Sequence, residues 1–275
     1  MSEPQTTLLS VRGLTMRFGG LVAINALDLD VREGALFALV GPNGAGKTTL
    51  LNCISGFTIP TEGNLTFAGV DLLPLGRHRR AALGIARTFQ NVQLFASMTV
   101  LDNLLTAQHA HLRASFFASL LPVGPAIAED RRARQAGREL LERLGIARYS
   151  DHIAGRLPFG VQKLVGVARA LALRPRMVLL DEPAAGMPQA EVAQFAESLR
   201  RWRDELGVTF LLIEHNMALV QSVAETVCVL DYGRKLAEGK PAEVLADPAV
   251  LEAYLGSGGV ARVRAGREES ADAER

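Results

Sequence analysis

The sequence predicts an α/β fold: a mainly parallel core sheet with helices on both faces, a small antiparallel β subdomain near the N-terminus, and an inserted helical block. Three observations lead there. Short apolar runs at 35–40, 177–180, 208–213 and 226–230 alternate with helix-period segments, the pattern of strands joined by helical crossovers. Two runs of mixed β-branched, leucine and polar residues, 8–18 and 24–31, are divided by Gly19-Gly20, as two antiparallel strands would be. Residues 98–149 carry leucines at 101, 104, 105, 140, 141 and 144 with little that reads as strand.

Each element follows in order. After the two N-terminal strands, Ala35 to Val40 ("ALFALV") is wholly apolar and ends at glycine, as a buried parallel strand does. The chain turns at "GPNGAG" and enters the helix-like "KTTLLNCISGF". Residues 64–67, after Glu62-Gly63, read as a further edge strand, and 77–83 as a short helix. The helical block is interrupted around Pro122. Between Arg113 and Arg148 it carries seven basic and four acidic residues, which reads as a solvated face. From Gly256 onward, glycine, serine and mixed charge with few large apolar residues predict a disordered tail.

Bulk properties bound the function. With 275 residues, 48% of them hydrophobic, the chain has material for one large domain or two packed ones. A formal net charge of +1 gives no global argument for nucleic acid or an acidic membrane surface. Cys53 and Cys228 are far apart and lack metal-ligand spacing, which predicts two buried thiols in a reducing compartment. The start, "MSEPQTTLLSVRG", lacks the layout of a signal peptide. The longest uncharged run, 114–128, falls short of the roughly 20 residues that span a bilayer and contains two prolines. The chain is therefore expected in the cytosol and not across a membrane.

The chemistry is concentrated in a few motifs. Gly41-Pro42-Asn43-Gly44-Ala45-Gly46-Lys47-Thr48 fits G-x-x-x-x-G-K-[ST] between an apolar strand and a helix, the context that motif requires. Its glycines let backbone N–H groups turn inward on phosphate oxygens, and the helix N-terminus adds its positive end. Gly41, Asn43, Gly44, Ala45, Gly46, Lys47, Thr48 and the following Thr49 are the candidate nucleotide-binding residues; Lys47 should reach the β- and γ-phosphates and Thr48 should ligate Mg²⁺. The run 177–180 closes on Asp181 and Glu182, which places both carboxylates at the C-terminal edge of the sheet, where such sheets bind ligands. Asp181 would orient Mg²⁺ through its water shell, and Glu182 would act as general base on the attacking water. A strand ending in "DE" is by itself usually structural. Its pairing with the phosphate loop is what makes it a site.

From about 8 to 256 the chain resembles the ATP-binding subunits of ABC transporters. The resemblance implies a P-loop NTPase (RecA-like) core over 1–258, a helical subdomain over about 92–157 and a disordered tail over 259–275. No Asn-Lys-x-Asp guanine reader occurs. Gln90 in "ARTFQ" matches the Q-loop glutamine, which the family places between Mg²⁺ and the helical subdomain; His215 in "LLIEH" matches the switch histidine at the γ-phosphate. Phe18 stands where an aromatic residue stacks on adenine. Leu157, Pro158, Phe159, Gly160, Val161 and Gln162 match the L-S-G-G-Q signature that completes the nucleotide site of a second subunit. Proline in place of serine removes a capping hydroxyl, while Gly160 and the helix dipole remain, so the expectation is a weakened but working signature. "IARTFQNVQLFASMTVLDNLL", "LPFGVQ", "LDEPAAGM", "LLIEHNM" and "ADPAVLEAYLG" look like the subunit of branched-chain amino acid importers. Pro188-Gln189 departs from that branch, where Asn-Pro is usual, in the D-loop that couples the two sites.

The resemblance implies ATP and Mg²⁺ as cofactors. It also implies as partners a second ABC ATPase subunit, in a homo- or heterodimer, two transmembrane permease subunits and, indirectly, an extracytoplasmic solute-binding protein. It places the chain peripherally on the cytoplasmic face of the inner membrane, with no nucleic acid partner. Two other readings compete: a soluble ABC ATPase acting on nucleic acid or ribosomes, for whose usual inserts 275 residues leave no room, and a module that binds ATP without turnover, against which Glu182 and His215 speak.

Overall fold

The computed structural model describes residues 6–88, 94–108 and 124–255. In chain order these form β1 (Thr7–Phe18), β2 (Leu21–Arg32), β3 (Leu36–Val40), α1 (Lys47–Ser55), β4 (Glu62–Phe67), β5 (Val70–Asp71) and α2 (Arg77–Ala82). Then come β6 (Ile85–Arg87), α3 (Val100–Gln108), α4 (Gly124–Arg143), α5 (Phe159–Leu171), β7 (Met177–Asp181), α6 (Gln189–Leu206) and β8 (Thr209–Ile213). The last elements are α7 (Met217–Val223), β9 (Thr226–Asp231), β10 (Arg234–Gly239), α8 (Pro241–Val244) and α9 (Pro248–Leu255). The chain divides into two compact units, Met1–Arg77 with Leu211–Arg275, and His78–Phe210.

In the first unit, β1 pairs antiparallel with β2 on one side and β4 on the other. Register shifts along β1 mark bulges, which explain why its burial departs from strict alternation. The sequence placed 64–67 at a sheet edge. The structure corrects this: β4 also pairs with β5, so β5 is the outer strand, and its two residues are too few to carry a periodic signal. The apolar run of β3 is buried at every position and pairs parallel with β9, Phe37 against Thr226 through Val40 against Val229. β10 flanks β9 antiparallel, mostly exposed and polar, hence unread in the sequence. Ala38, Val40, Val220, Val227, Val229, Val244 and Val250 form one buried cluster, with Met217 and Tyr254 packed against it, so α7, α8 and α9 are fastened to these strands.

In the second unit, β6 lies parallel to β7, Ile85 against Met177 through Arg87 against Leu179. β6 has only three residues, and the sequence did not show it. On α6, Phe195, Leu199 and Trp202 fall on one stripe at helical spacing and are buried. Trp202 donates its Nε1–H to the Leu144 carbonyl at 3.1 Å, tying α6 to the loop after α4. α6 stops at Gly207, whose left-handed φ of 64° favours glycine. Arg131, Arg132, Arg134 and Arg138 on α4 are exposed, as a solvated face requires. Both cysteines are buried and reduced. Most of the apolar segment 114–128 and the tail 256–275 lie outside the described residues. No helix among the described residues is long and apolar enough to cross a membrane.

Trp202→Phe keeps most of the buried area but leaves the Leu144 carbonyl without its donor. The expected loss is about 1–3 kcal/mol, seen as a lower urea midpoint in circular dichroism.

Candidate functional site

The phosphate loop of the first unit is shaped by close backbone approaches that only glycine permits. A Cβ at Gly41, φ 148°, would run into the Leu230 carbonyl oxygen at the end of β9. At Gly46, φ 100°, a Cβ would stand 2.5 Å from the Ala23 carbonyl oxygen of β2. Strands β2 and β9 thus press on the loop from outside. Gly46 is the N-cap of α1 and offers no side chain, so the amides of the first turn are left for a ligand. The buried Lys47 ammonium donates to the loop's own carbonyls, Gly41 O at 2.7 Å and Pro42 O at 2.8 Å. Asn43, Gly44 and Thr48 are exposed, Thr49 is half-buried and Ala45 is buried.

Further first-unit residues surround this loop. The Gly233 N–H donates to Ala45 O at 3.1 Å and the Asn25 N–H to Gly233 O at 2.8 Å, so the β9–β10 turn bridges the loop and β2. Phe18 closes the β1–β2 hairpin opposite Leu21, half exposed, on the strand pair that carries Ala23. His215 is exposed just past the end of β8. Beside it the buried Glu214 carboxylate accepts from the His215 and Asn216 backbone N–H groups at 3.1 and 3.3 Å, and Asn216 caps α7 by accepting from the Leu219 N–H. Tyr254 of α9 lies beside the Gly41 backbone; its buried hydroxyl has no hydrogen-bond partner among the described residues, and burial raises its pKa to about 12. Neither Glu214 nor Tyr254 carries a chemical motif signal of its own, although Tyr254 falls within the branch-like "EAYLG".

In the second unit, β7 delivers Asp181 and Glu182 to its C-terminal end, with every strand residue buried. Arg87 of β6 donates from Nη2 to Asp181 Oδ2 at 2.9 Å, and the two side chains are only 8% and 11% exposed. Glu182 is held at φ 47°, the left-handed region that costs a glutamate roughly 1–2 kcal/mol. Strain of this kind persists where the surroundings over-determine the backbone, and here it falls on the predicted general base. Gln90 lies outside the described residues. The chain that follows it is pinned at Phe95, whose N–H donates to Asn103 Oδ1 at 2.9 Å while Asn103 Nδ2 donates to Phe95 O at 3.1 Å.

The stretch "LPFGVQ" opens α5. Pro158 is the N-cap, φ −52° and ψ 148°. There its missing N–H breaks no helical bond, and its carbonyl accepts from the Gln162 N–H at 3.0 Å. Gln162 Nε2 also donates to the buried Leu157 carbonyl at 2.8 Å. A Cβ at Gly160 would meet Glu191 Oε2, a buried carboxylate oxygen with no hydrogen-bond partner among the described residues. This places negative charge by the positive end of α5, a favourable arrangement.

A family model described as "ABC transporter" matches residues 24–185, and one described as "Branched-chain amino acid ATP-binding cassette transporter" matches 234–260. The chain is 42% identical over 256 residues to the high-affinity branched-chain amino acid transport ATP-binding protein BraF of Pseudomonas aeruginosa, covering 93% of this chain and 99% of the relative. It is 40% identical, with the same coverage, to the corresponding protein LivG of Escherichia coli K12. Among solved structures, a nucleotide-free ATP-binding cassette from an ABC transporter matches with a TM-score of 0.78 at 32% identity, over 92% of this chain and 100% of the other. The ADP conformation of an ATP-binding cassette matches with a TM-score of 0.79, also at 32% identity over 92% of this chain and 100% of that one. The fold is that of these P-loop cassettes.

Two substitutions test the backbone geometry through thermal unfolding. Gly46→Ala forces a Cβ towards a fixed carbonyl and should destabilise by on the order of 2 kcal/mol. Glu182→Asn places a residue that tolerates left-handed backbone and should stabilise by about 1 kcal/mol.

Proposed function

The chain belongs to the ABC transporter family, and from that premise we propose that it hydrolyses ATP to energise import by a membrane permease. The solutes are branched-chain amino acids or related small polar or amphipathic molecules. The observation that carries the solute class is the branch-specific match over 234–260, which includes Tyr254 beside the phosphate loop. The partners we assign are a second ABC ATPase subunit, two transmembrane permeases and, indirectly, an extracytoplasmic solute-binding protein. The chain then works peripherally at the cytoplasmic face of the inner membrane.

The residues take these roles in the proposal. Lys47, now turned on the loop's own carbonyls, moves its ammonium to the β- and γ-phosphates, and the first-turn amides of α1 hold the phosphate oxygens. Phe18 offers its exposed ring to the adenine, and His215 offers an imidazole to the γ-phosphate. Thr48 and Asp181 fit Mg²⁺: both are hard oxygen donors, and an ion that keeps several waters needs only one or two of them. When bound, Mg²⁺ neutralises charge on the β- and γ-phosphates. Glu182 takes a proton from the attacking water. Gln90 links this chemistry to the helical subdomain. Leu157, Gly160 and Gln162 present the α5 N-terminus to the nucleotide of the partner ATPase, with backbone and dipole supplying what serine would have added.

Phosphate release from MgATP tests the proposal. Glu182→Gln should lower it by roughly 10²–10⁴-fold while ATP binding persists, and Lys47→Ala should lose ATP binding. Undiminished release from Glu182→Gln would remove the assigned base. Pro158→Ser restores a capping hydroxyl, with an expected gain of about 0.5–2 kcal/mol in helix stability and faster turnover of the assembled dimer; unchanged turnover would show that the proline is neutral.

A further inference from the structure

Parallel strands β6 and β7 set Arg87 opposite Leu179, and Asp181 lies two residues further along the same face. The Thr88 N–H donates to Leu179 O at 2.9 Å and fixes the register at this point. The resulting Arg87–Asp181 pair, at 2.9 Å, is nearly excluded from solvent on both sides. A buried carboxylate without a cation is strongly unfavourable, so the guanidinium does for Asp181 what a bound metal would otherwise do. It also occupies Oδ2, while Oδ1 has no hydrogen-bond donor among the described residues. Lys163 and Arg169 line the same cleft as Arg87, adding positive charge on that side.

We infer that Arg87 is a positioning residue that holds Asp181 preformed through Oδ2 and opposes capture of a free divalent cation there. The inference rests on the assignment of Asp181 to Mg²⁺. With the guanidinium in place, Asp181 engages a metal only through Oδ1 and against a neighbouring positive charge, so metal arrives with the nucleotide phosphates rather than before them. Because Arg87 ends β6, it also joins this carboxylate to the strand that leads to Gln90.

The test measures Mn²⁺ binding by electron paramagnetic resonance without nucleotide, together with the shift in thermal midpoint produced by Mg²⁺ alone. Arg87→Gln should bind Mn²⁺ about tenfold more tightly than the wild type and be stabilised by Mg²⁺ alone, since the metal now serves as the counter-cation. Adding Asp181→Asn should erase both gains. Arg87→Lys, which keeps the charge on a different head group, should stay near the wild-type affinity and guards against a Gln variant that fails to fold. A folded Arg87→Gln protein with wild-type Mn²⁺ affinity and no response to Mg²⁺ would overturn the inference and leave Arg87 a structural partner. If Asp181→Asn alone leaves the Mg²⁺ dependence of ATP binding unchanged, it is the assignment of Asp181 that fails.

Discussion

The approach of two glycines to two carbonyl oxygens, Gly41 to Leu230 and Gly46 to Ala23, is the constraint on which the phosphate site depends. It brings β2 and the end of β9 into contact with the loop. The surrounding elements follow from it. The β9–β10 turn hydrogen-bonds to Ala45, and α9 sets Tyr254 beside Gly41. Side chains in this family of motifs attract attention because they are charged, yet here the backbone makes the cradle and Lys47 is placed within it.

The second unit stores its chemistry differently. Asp181 and Glu182 are adjacent in sequence but live under opposite conditions: the first is neutralised by a buried guanidinium, the second sits on a strained backbone. A neutralised carboxylate suits the metal-binding role proposed for Asp181. A residue whose backbone is held against its preference keeps a fixed direction, which suits the role of general base proposed for Glu182. At α5 the helix starts without a side-chain cap: Pro158 takes the N-cap position, where its missing N–H breaks no helical bond, and the Glu191 carboxylate lies nearby.

What the sequence disclosed depended on how much periodic or spaced signal each feature carried. The loop 41–48 and the pair Asp181-Glu182 were legible because regular glycine spacing and an apolar run ending in acid seldom occur together for packing alone. β3, β7, β8 and β9 were legible as uninterrupted apolar runs. β5 and β6 were not, since two or three residues hold no period, and β10 reads as polar turn sequence because one neighbour, β9, is enough to hold it. Arg87 lies within "ARTFQ" but has no sequence signal as an ion-pair partner, because a pair 94 residues apart in the chain leaves no local trace. Glu214 was hidden for a related reason: its partners are backbone amides, which every sequence has.

The central claim is that this chain is one half of a paired ATPase that drives a permease. The most direct measurement is mass spectrometry of what co-purifies with the Glu182→Gln protein from detergent-solubilised native membranes in MgATP, where slowed hydrolysis traps the closed assembly. The account predicts two hydrophobic permeases and an ATPase partner, either a second copy or a distinct chain. Recovery of soluble or ribosomal proteins alone would contradict it.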